Sequence, residues 1–286
     1  MQHGPVVRRR KLGAELRALR TSAGITSGEA ARLVGWHQSK ISRIETGTSG
    51  AKPSDVRLLL DAYGVDDEQL RGLLVTLARS EDAAGRNHWW HAYRGVLPPT
   101  YRDFISLESQ ASAMRTLETT VVPGLLQTPE YARAVTRAAV DGMPTERLDT
   151  LVEVRLARQD VLRGEPPLEL SAVLDEAVLR REVGGPGVMA RQLARLVDAA
   201  RLPHVRLQVL PFSAGAHIGV TGPFVIFSFS STSDLDVVVL DHLTSSLHLE
   251  RKEDLEAYTE AFNALLIHAL SPEDSLDFIA ATAAGA

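Results

Sequence analysis

Apolar residues recur at helical spacing through the first part of the chain, residues 1–79. Leucines three or four positions apart predict a buried stripe on a first helix over residues 8–22. Gly24 follows, at the place where a glycine commonly ends a helix. Thr26 and Glu29 have the spacing of a capping box, which predicts that a second helix begins there. The chain therefore opens with two short helices joined by a tight turn.

Three further helices are predicted before residue 79. The third begins at His37 or its neighbour. After a loop over residues 47–53, Ser54 is predicted to cap the fourth helix, and the fifth covers residues 66–79. Five short helices in this order predict an all-α domain over residues 1–79.

Residues 34–47 predict the turn and second helix of a helix-turn-helix. Gly35 can adopt a positive φ without a steric cost from a Cβ atom, so the chain can turn sharply there. Ile41 and Ile44 lie three positions apart on one helical face and are predicted to point inward. The outward positions then carry hydrogen-bonding side chains, none of them acidic: Gln38, Ser39, Lys40, Ser42 and Arg43. The alternative is an ordinary helical hairpin, but amide, guanidinium, hydroxyl and ammonium groups together favour a major-groove reader.

Charge is distributed unevenly along the chain. Residues 1–60 hold eleven basic and four acidic side chains, which gives this segment a net charge of +7. Because the whole chain carries −5, the remainder carries −12. A basic N-terminal segment followed by an acidic remainder is expected of a protein whose N-terminal end binds a polyanion. The asymmetry favours DNA as the partner of the helix-turn-helix.

Composition excludes several kinds of chemistry. The 286 residues include no cysteine, so disulfides, thiol catalysis and cysteine-ligated zinc are ruled out. No apolar run is long enough to span a bilayer, and no apolar segment follows the basic N-terminus as it would in a signal peptide. We therefore expect a cytoplasmic, nucleoid-associated protein that uses no cofactor.

Residues 80–100 are predicted to join two domains. Their centre, Asn-His-Trp-Trp-His-Ala-Tyr, is the most aromatic run in the chain and predicts an apolar plug between the domains. Pro98 and the proline after it are expected to stiffen the connection. His88 and His91 could ligate a metal ion, but no third ligand stands at a suitable spacing, so no metal site is expected.

The remaining residues, 101–286, predict an α+β domain in which helices surround one mixed sheet. Residues 101–165 are predicted to be helical, with residues 104–117 forming a single helix. Beyond them, helices alternate with short runs that are β-branched or alternate in polarity, which is typical of strands. The predicted strands are residues 168–174, 205–210, 224–229, 236–241 and 246–250. The predicted helices of this half are residues 186–200, residues 253–270 and a last one capped by Ser271.

Polar residues near predicted strand ends make a candidate site in the second domain. His217 follows a glycine-containing turn after a strand, and Asp241 and His242 end another strand. These side chains could serve a hydrolase or a small-ligand pocket. The alternative is a structural role, in which His217 fixes a loop and carboxylates such as Asp175 and Glu176 cap helices. No nucleophile elbow, phosphate loop or metal-binding spacing accompanies them, so catalysis is not expected.

The five N-terminal helices resemble the lambda-repressor-like, or Xre, DNA-binding domain. The resemblance implies that the third helix reads DNA, with Gln38 and Arg43 facing the bases. It further implies that Ser39 contacts a base and that Lys40 and Ser42 contact the DNA backbone. Ser27 stands where family members often use a glutamine to hold a phosphate. Glu45 resembles an inward glutamate that pairs with an arginine of the first helix, here Arg20.

Longer runs in the second half make the resemblance more specific. They are VPGLLQTPEYAR from Val122, Arg158-Gln159, LDEAVLR from Leu174, LPFSAGAH from Leu210 and LSPEDS from Leu270. In this order they resemble actinobacterial Xre regulators with an antitoxin-like C-terminal domain of the WhiJ type. The resemblance covers nearly the whole chain. It implies a transcription factor whose C-terminal domain binds a small protein encoded by a neighbouring gene.

Two functional hypotheses follow for a sequence-specific DNA-binding regulator. Either a small partner protein controls it, or its C-terminal domain senses a small molecule; a hydrolase tethered to DNA is a weaker third reading. One helix-turn-helix touches only a few base pairs, so we expect a homodimer on two half-sites about one helical turn apart. The helices predicted over residues 101–165 are the expected dimer interface.

Overall fold

The computed structural model describes residues 5–78, 89–93, 95–139, 142–229, 236–242 and 245–284. The chain forms two compact units, one ending at Trp89 and the other beginning at Trp90. The second unit therefore includes residues that the sequence assigned to a linker.

Helices account for all regular structure in the described part of the first unit. They are α1 (Pro5–Ser22), α2 (Ser27–Leu33), α3 (Gln38–Glu45), α4 (Pro53–Ala62) and α5 (Glu68–Ala78). The predicted inward residues form one core, with Leu12, Leu16, Ile41, Ile44 and Leu59 all fully buried. The five-helix prediction is confirmed.

Local signals place most of the helix ends. Thr26 Oγ1 accepts the Glu29 N–H at 3.2 Å, and the Glu29 carboxylate accepts the Thr26 N–H at 2.8 Å, so the predicted capping box forms. The prediction for α4 was wrong by two residues, because Lys52 and not Ser54 is the N-cap. Pro53 takes the first helical position, where its fixed φ fits and its missing N–H costs no hydrogen bond.

The second unit is an α+β domain. Its helices are α6 (Pro99–Glu108), α7 (Pro129–Ala139), α8 (Thr145–Ala157), α9 (Glu176–Arg180), α10 (Pro186–Ala199), α11 (Lys252–His268) and α12 (Pro272–Ala284). Its strands are β1 (Ala113–Glu118), β2 (Glu169–Asp175), β3 (Val205–Leu210), β4 (Phe224–Ser228), β5 (Val237–Asp241) and β6 (Ser246–Leu249). Short 3₁₀ segments cover Trp89–Tyr93, Gly124–Leu126, Arg158–Leu162, Phe212–Ala214 and Ile218–Thr221.

The strands form one mixed sheet in the order β3-β2-β1-β4-β5-β6. β1, β2 and β3 are parallel neighbours, whereas β4, β5 and β6 join by antiparallel pairing. It follows that β1, β2, β3 and β5 all end at the same edge of the sheet, called the carboxyl edge below. Helix α11 contacts β1, β3 and β5, and α12 packs against β3 and α10. The predicted fold class, helices around one mixed sheet, is confirmed.

The prediction that residues 101–165 are purely helical was wrong. The expected helix over residues 104–117 ends at Glu108, and β1 follows as an inner strand of the sheet. Met114 and Leu117 are buried because β1 pairs with β2 on one side and β4 on the other. Strand pairing at long sequence separation outweighs the local helical spacing.

The predicted aromatic joint lies partly outside the described residues. His88 and the side chain of His91 lie outside the described part of the structure. Trp90 is buried within a 3₁₀ segment, and the second proline of the expected stiff connection begins α6. Across the part of the chain that the structure describes, no helix is both long and apolar enough to cross a bilayer.

Candidate nucleic-acid interface and the polar edge of the second unit

The turn between α2 and α3 has the geometry that the sequence predicts. Gly35 has φ +68°, a conformation that a side chain disfavours. The Trp36 N–H donates to the Ala31 carbonyl at 2.7 Å, which holds α3 against α2. Ile41 and Ile44 anchor α3 in the core, so the opposite face of the helix points to solvent.

That outer face presents the predicted donors, and its first turn is braced. Gln38, Ser39, Ser42 and Arg43 are exposed. Gln38 Nε2 donates to Ser27 Oγ at 3.0 Å, which links the first residues of α2 and α3. The amide oxygen and second N–H of an exposed glutamine can still reach a base edge.

Lys40 does not stand free on this face, so the predicted phosphate contact competes with partners inside the protein. Its Nζ atom lies 3.3 Å from Asp55 Oδ1 and 3.4 Å from the centre of the Trp36 ring. Both contacts draw the charge toward α4 and the turn. Its side chain is 37% exposed, so it can reach a phosphate only by sharing or leaving these partners.

His37 is a residue of this surface that the sequence analysis named only as a helix start. It is the N-cap of α3, and its Nδ1 atom accepts the Ser39 N–H at 3.3 Å. The same nitrogen lies 2.9 Å from Ser39 Oγ, in a hydrogen bond whose direction depends on the tautomer. The Ser39 hydroxyl is therefore oriented by the cap before any DNA contact.

Arg20 and Glu45 form the predicted pair. Arg20 Nε donates to Glu45 Oε1 at 2.6 Å and Nη2 donates to Oε2 at 2.8 Å, while Nη1 donates to the Ile25 carbonyl at 2.7 Å. The hydrogen bonds with Glu45 raise the pKa of the Arg20 guanidinium. Burial raises the pKa of the neighbouring Tyr63 hydroxyl to about 12. The pair joins α1 to the end of α3 and is structural.

Two family models match the chain. A model described as a helix-turn-helix domain matches residues 11–73, and one described as a domain of unknown function, DUF5753, matches residues 101–281. The second match covers more than half of the 286 residues. The chain belongs to the DUF5753 family. A search among curated proteins finds no similar sequence.

The structure places the three predicted site residues of the DUF5753 unit on two segments of its carboxyl edge. Asp241 ends β5 and His242 follows it, both exposed. His217 lies in the loop between β3 and β4, where its Nδ1 accepts the Gly219 N–H at 3.1 Å. Among the described residues no hydrogen bond or ion pair joins His217 to Asp241 or His242. The bond to Gly219 fits the simpler of the two predicted roles, in which His217 fixes its loop.

The acidic pair at the end of β2 is also structural. Asp175 Oδ1 accepts the Ala177 N–H at 2.8 Å and caps α9. Glu176 Oε2 accepts the Phe212 N–H at 2.7 Å, and its other oxygen accepts from Arg180. These bonds tie the end of β2 to the segment that follows β3.

The same edge holds a polar cluster that the sequence analysis missed. Arg158, after α8, is fully buried and donates to both carboxylate oxygens of Glu108, at 2.8 and 2.7 Å, and to Tyr101 Oη at 2.7 Å. Burial acts to lower the Arg158 pKa, but Glu108 and Tyr101 outweigh it and raise the pKa above its usual value. Arg155 lies one turn earlier in the chain, and Glu118 ends β1.

Glu118 and Arg155 are less fully bonded than this pair. Thr116 Oγ1 donates to Glu118 Oε1 at 3.4 Å, and Arg155 Nη1 donates to Gln127 Oε1 at 3.2 Å. Burial raises the pKa of the Glu118 carboxyl to about 8, although Thr116 and Arg155 act to lower it. Burial also lowers the pKa of the Arg155 guanidinium. The sequence signals for this cluster were the Arg158-Gln159 run quoted for the family resemblance and the three-residue spacing of Arg155 and Arg158.

Proposed function

We propose that this protein is a sequence-specific DNA-binding transcriptional regulator that reads its operator with α3. The observation that carries the proposal is the exposed face of α3, with Gln38 braced by Ser27 at its first turn. The helix-turn-helix family match and the +7 charge of residues 1–60 support it.

In this proposal the side chains of α3 bind different parts of the DNA. Gln38 offers a bidentate amide to an adenine, and Arg43 offers its fork to a guanine or a phosphate. The hydroxyls of Ser27, Ser39 and Ser42 bind backbone oxygens or a base edge. The brace between Gln38 and Ser27 reduces the rotamer freedom that DNA binding must remove.

Binding of labelled operator and scrambled duplex, titrated at several salt concentrations, tests the proposal. The operator would first be selected from random duplexes with the purified protein. Gln38→Ala should lose about 1–3 kcal/mol on the operator and little on scrambled DNA. Arg43→Ala should also weaken operator binding, whereas Arg163→Ala removes the same charge from an exposed site in the DUF5753 unit and should not. Wild-type operator affinity in both α3 variants would refute the role of α3.

We further propose that the DUF5753 unit is a non-catalytic receptor for a small protein encoded by a neighbouring gene. The resemblance to actinobacterial Xre regulators of the antitoxin-like, WhiJ type supports this role. So do three exposed apolar side chains in the loop between β3 and β4: Phe212, Ile218 and Val220. Exposed apolar groups close together are typical of protein-binding surfaces. Control by a small molecule is the alternative, and the polar cluster at the carboxyl edge supports it.

Co-purification of the regulator with the products of adjacent genes tests the receptor proposal. A stoichiometric complex is expected with wild type, and the double variant Phe212→Ser, Val220→Ser should lose it while keeping operator affinity. An unchanged complex would place the partner elsewhere. No adjacent gene product in complex would favour the small-molecule alternative.

A homodimer remains our proposal for the DNA-bound state, because twofold pairing doubles the number of bases read. The proposed interface remains the helices of residues 101–165; β1 falls in that range but lies inside the sheet and is not part of it. Among these helices, α7 and α8 both carry exposed residues. Light scattering should give twice the chain mass for the free protein, and twice the chain mass plus that of the duplex with operator DNA. One chain in both conditions would contradict the proposal.

A further inference from the structure

The charged residues beside the end of β1 have no part in the proposed DNA contact. Glu118 and Arg155, with Gln127 beside them, are called the Glu118–Arg155 site below. They lie at the carboxyl edge, next to the position where the sheet changes from parallel to antiparallel pairing. In open sheets with parallel strands, ligands commonly bind outside the carboxyl ends of the strands where the strand order reverses, and here β2 and β3 lie on one side of β1 while β4, β5 and β6 lie on the other.

Arg155 holds a charge that the protein only partly satisfies. A guanidinium has five N–H donors, and the structure gives that of Arg155 one hydrogen bond, to Gln127. No carboxylate among the described residues lies within ion-pair distance of it. By contrast, Arg158 makes three hydrogen bonds and is neutralised by Glu108. A Cβ atom placed on Gly124 would lie 3.5 Å from both guanidinium groups, so the two arginines converge there.

Glu118 faces the same space without closing it. Its carboxyl group interacts electrostatically with Arg155, Arg158 and Asp241, yet forms no ion pair with any of them within the described residues. Both Glu118 and Arg155 are half-buried, and their oxygen and nitrogen atoms that form no hydrogen bond are not among the described side-chain atoms that protein fully encloses. Partial access together with strong desolvation is what side chains lining a recess show. A ligand atom can therefore reach both groups.

We propose that the Glu118–Arg155 site binds the carboxylate group of a small organic acid, with the Arg155 guanidinium as its main contact and the Glu118 carboxyl group as its second. The planar fork of arginine matches the two oxygens of a carboxylate. A phosphate dianion fits less well, because one uncommitted cation faces it and the Asp241 carboxylate is nearby. The proposal does not depend on DNA recognition, and it names the ligand class for small-molecule control.

The ionisation of Glu118 makes the proposed binding depend on pH. The groups that face it are Arg155 on α8, Arg158 after α8, Asp241 on β5 and Tyr131 on α7. Below a pKa of about 8 the Glu118 carboxyl is neutral and can donate a hydrogen bond to a carboxylate. Above that pH it becomes an anion and repels the ligand. Affinity should then fall by up to about tenfold for each further pH unit, as one-proton linkage requires.

The test uses the full-length protein and defined probes. Acetate, succinate and benzoate are compared with acetamide, succinamide and benzamide by ligand-observed saturation-transfer NMR at pH 7, and affinities are taken from titrations. We expect at least one carboxylate to bind and its amide to bind at least about tenfold more weakly, because only the charged form pairs with Arg155. Equal binding of acids and amides, or no binding of any acid, would overturn the proposal.

Variants then assign the binding to this site. Arg155→Gln should weaken carboxylate binding by at least about tenfold, and Arg155→Lys, which keeps the charge but loses the fork, should also weaken it. Arg163→Gln is the matched control, since Arg163 is 71% exposed and should leave binding unchanged. Glu118→Gln should bind the carboxylate as tightly as wild type at pH 7, and its affinity should no longer fall above pH 8.

The results of these assays distinguish a failure of the carboxylate site from a failure of the proposed DNA-binding function. If Arg155→Gln is unfolded by circular dichroism, the Arg155→Lys and Glu118→Gln results decide. Wild-type affinity and pH dependence in both of these variants would sink the proposal. Loss of carboxylate binding with operator affinity intact supports the site whether or not α3 is the DNA reader. A failed operator assay alone would count against the proposed function and leave this inference standing.

Discussion

The pair between Arg20 and Glu45 allows a quantitative prediction. The Arg20 side chain is 12% exposed and that of Glu45 is 5% exposed. Arg20→Ala removes both hydrogen bonds to Glu45 and the bond to the Ile25 carbonyl. It leaves the Glu45 carboxylate buried without a counter-charge. Breaking a buried pair in this way costs about 3–5 kcal/mol.

Amide hydrogen exchange measured by mass spectrometry on the full-length protein can follow this change within the first unit. Since about 1.4 kcal/mol corresponds to a factor of ten, core amides of α1 and α3 should exchange about a hundredfold to a few thousandfold faster. Peptides from the DUF5753 unit, which has its own core, should be unaffected. The comparison between units within one sample removes differences in pH and temperature.

Two variants serve as controls for this prediction. Arg17→Ala removes the same charge from an exposed position of the same helix and should change exchange by a few-fold at most. The double variant Arg20→Leu, Glu45→Leu leaves no unpaired charge, so it should destabilise less than Arg20→Ala alone. If Arg20→Ala exchanges like Arg17→Ala, the pair does not contribute as the buried geometry requires.

Three further predictions concern packing and ionisation. In Gly13→Ala the new Cβ would lie 2.4 Å from the Ile44 carbonyl oxygen, so α1 and α3 must separate. Chemical denaturation should show that the free energy of unfolding falls by about 1–3 kcal/mol. An unchanged free energy of unfolding would contradict this prediction. Arg158→Met should lower the urea midpoint of the DUF5753 unit by the equivalent of about 3–5 kcal/mol, because Glu108 stays buried and unpaired. The folded pKa of Glu118 is raised from 4.5 to about 8, so its contribution to stability is complete below pH 4.5 and is lost as pH rises toward 8. The melting temperature of Glu118→Gln should therefore lie above that of wild type at pH 9, and the difference should disappear at pH 4. A difference that does not change with pH would refute the raised pKa of Glu118.

Local signals made the first unit predictable. The capping box of Thr26 and Glu29, the turn at Gly35 and the inward isoleucines of α3 each act within a few residues of the chain. A single sequence displays such signals directly. The contact between Lys40 and Asp55 was missed because it joins α3 to α4, and spacing along one helix cannot reveal it.

The second unit was predicted less well because its centre depends on distant partners. β1 pairs with β2 and with β4, whose residues lie far along the chain. Its alternating burial is broken by two consecutive buried residues, which weakens the strand pattern. Arg155 and Glu118 were missed for the same reason, since α8 and β1 meet only in the folded sheet.

The position of β1 in the sheet has a consequence for shortened forms of this protein. The strand made first during synthesis lies in the middle, and one of its two neighbours, β4, is completed only at Ser228. A premature stop before that residue leaves β1 with an open hydrogen-bonding side and an uncovered apolar face. Unpaired strands of this kind drive aggregation. Nonsense mutations before the Ser228 codon should therefore remove the protein from the cell rather than release its first unit alone.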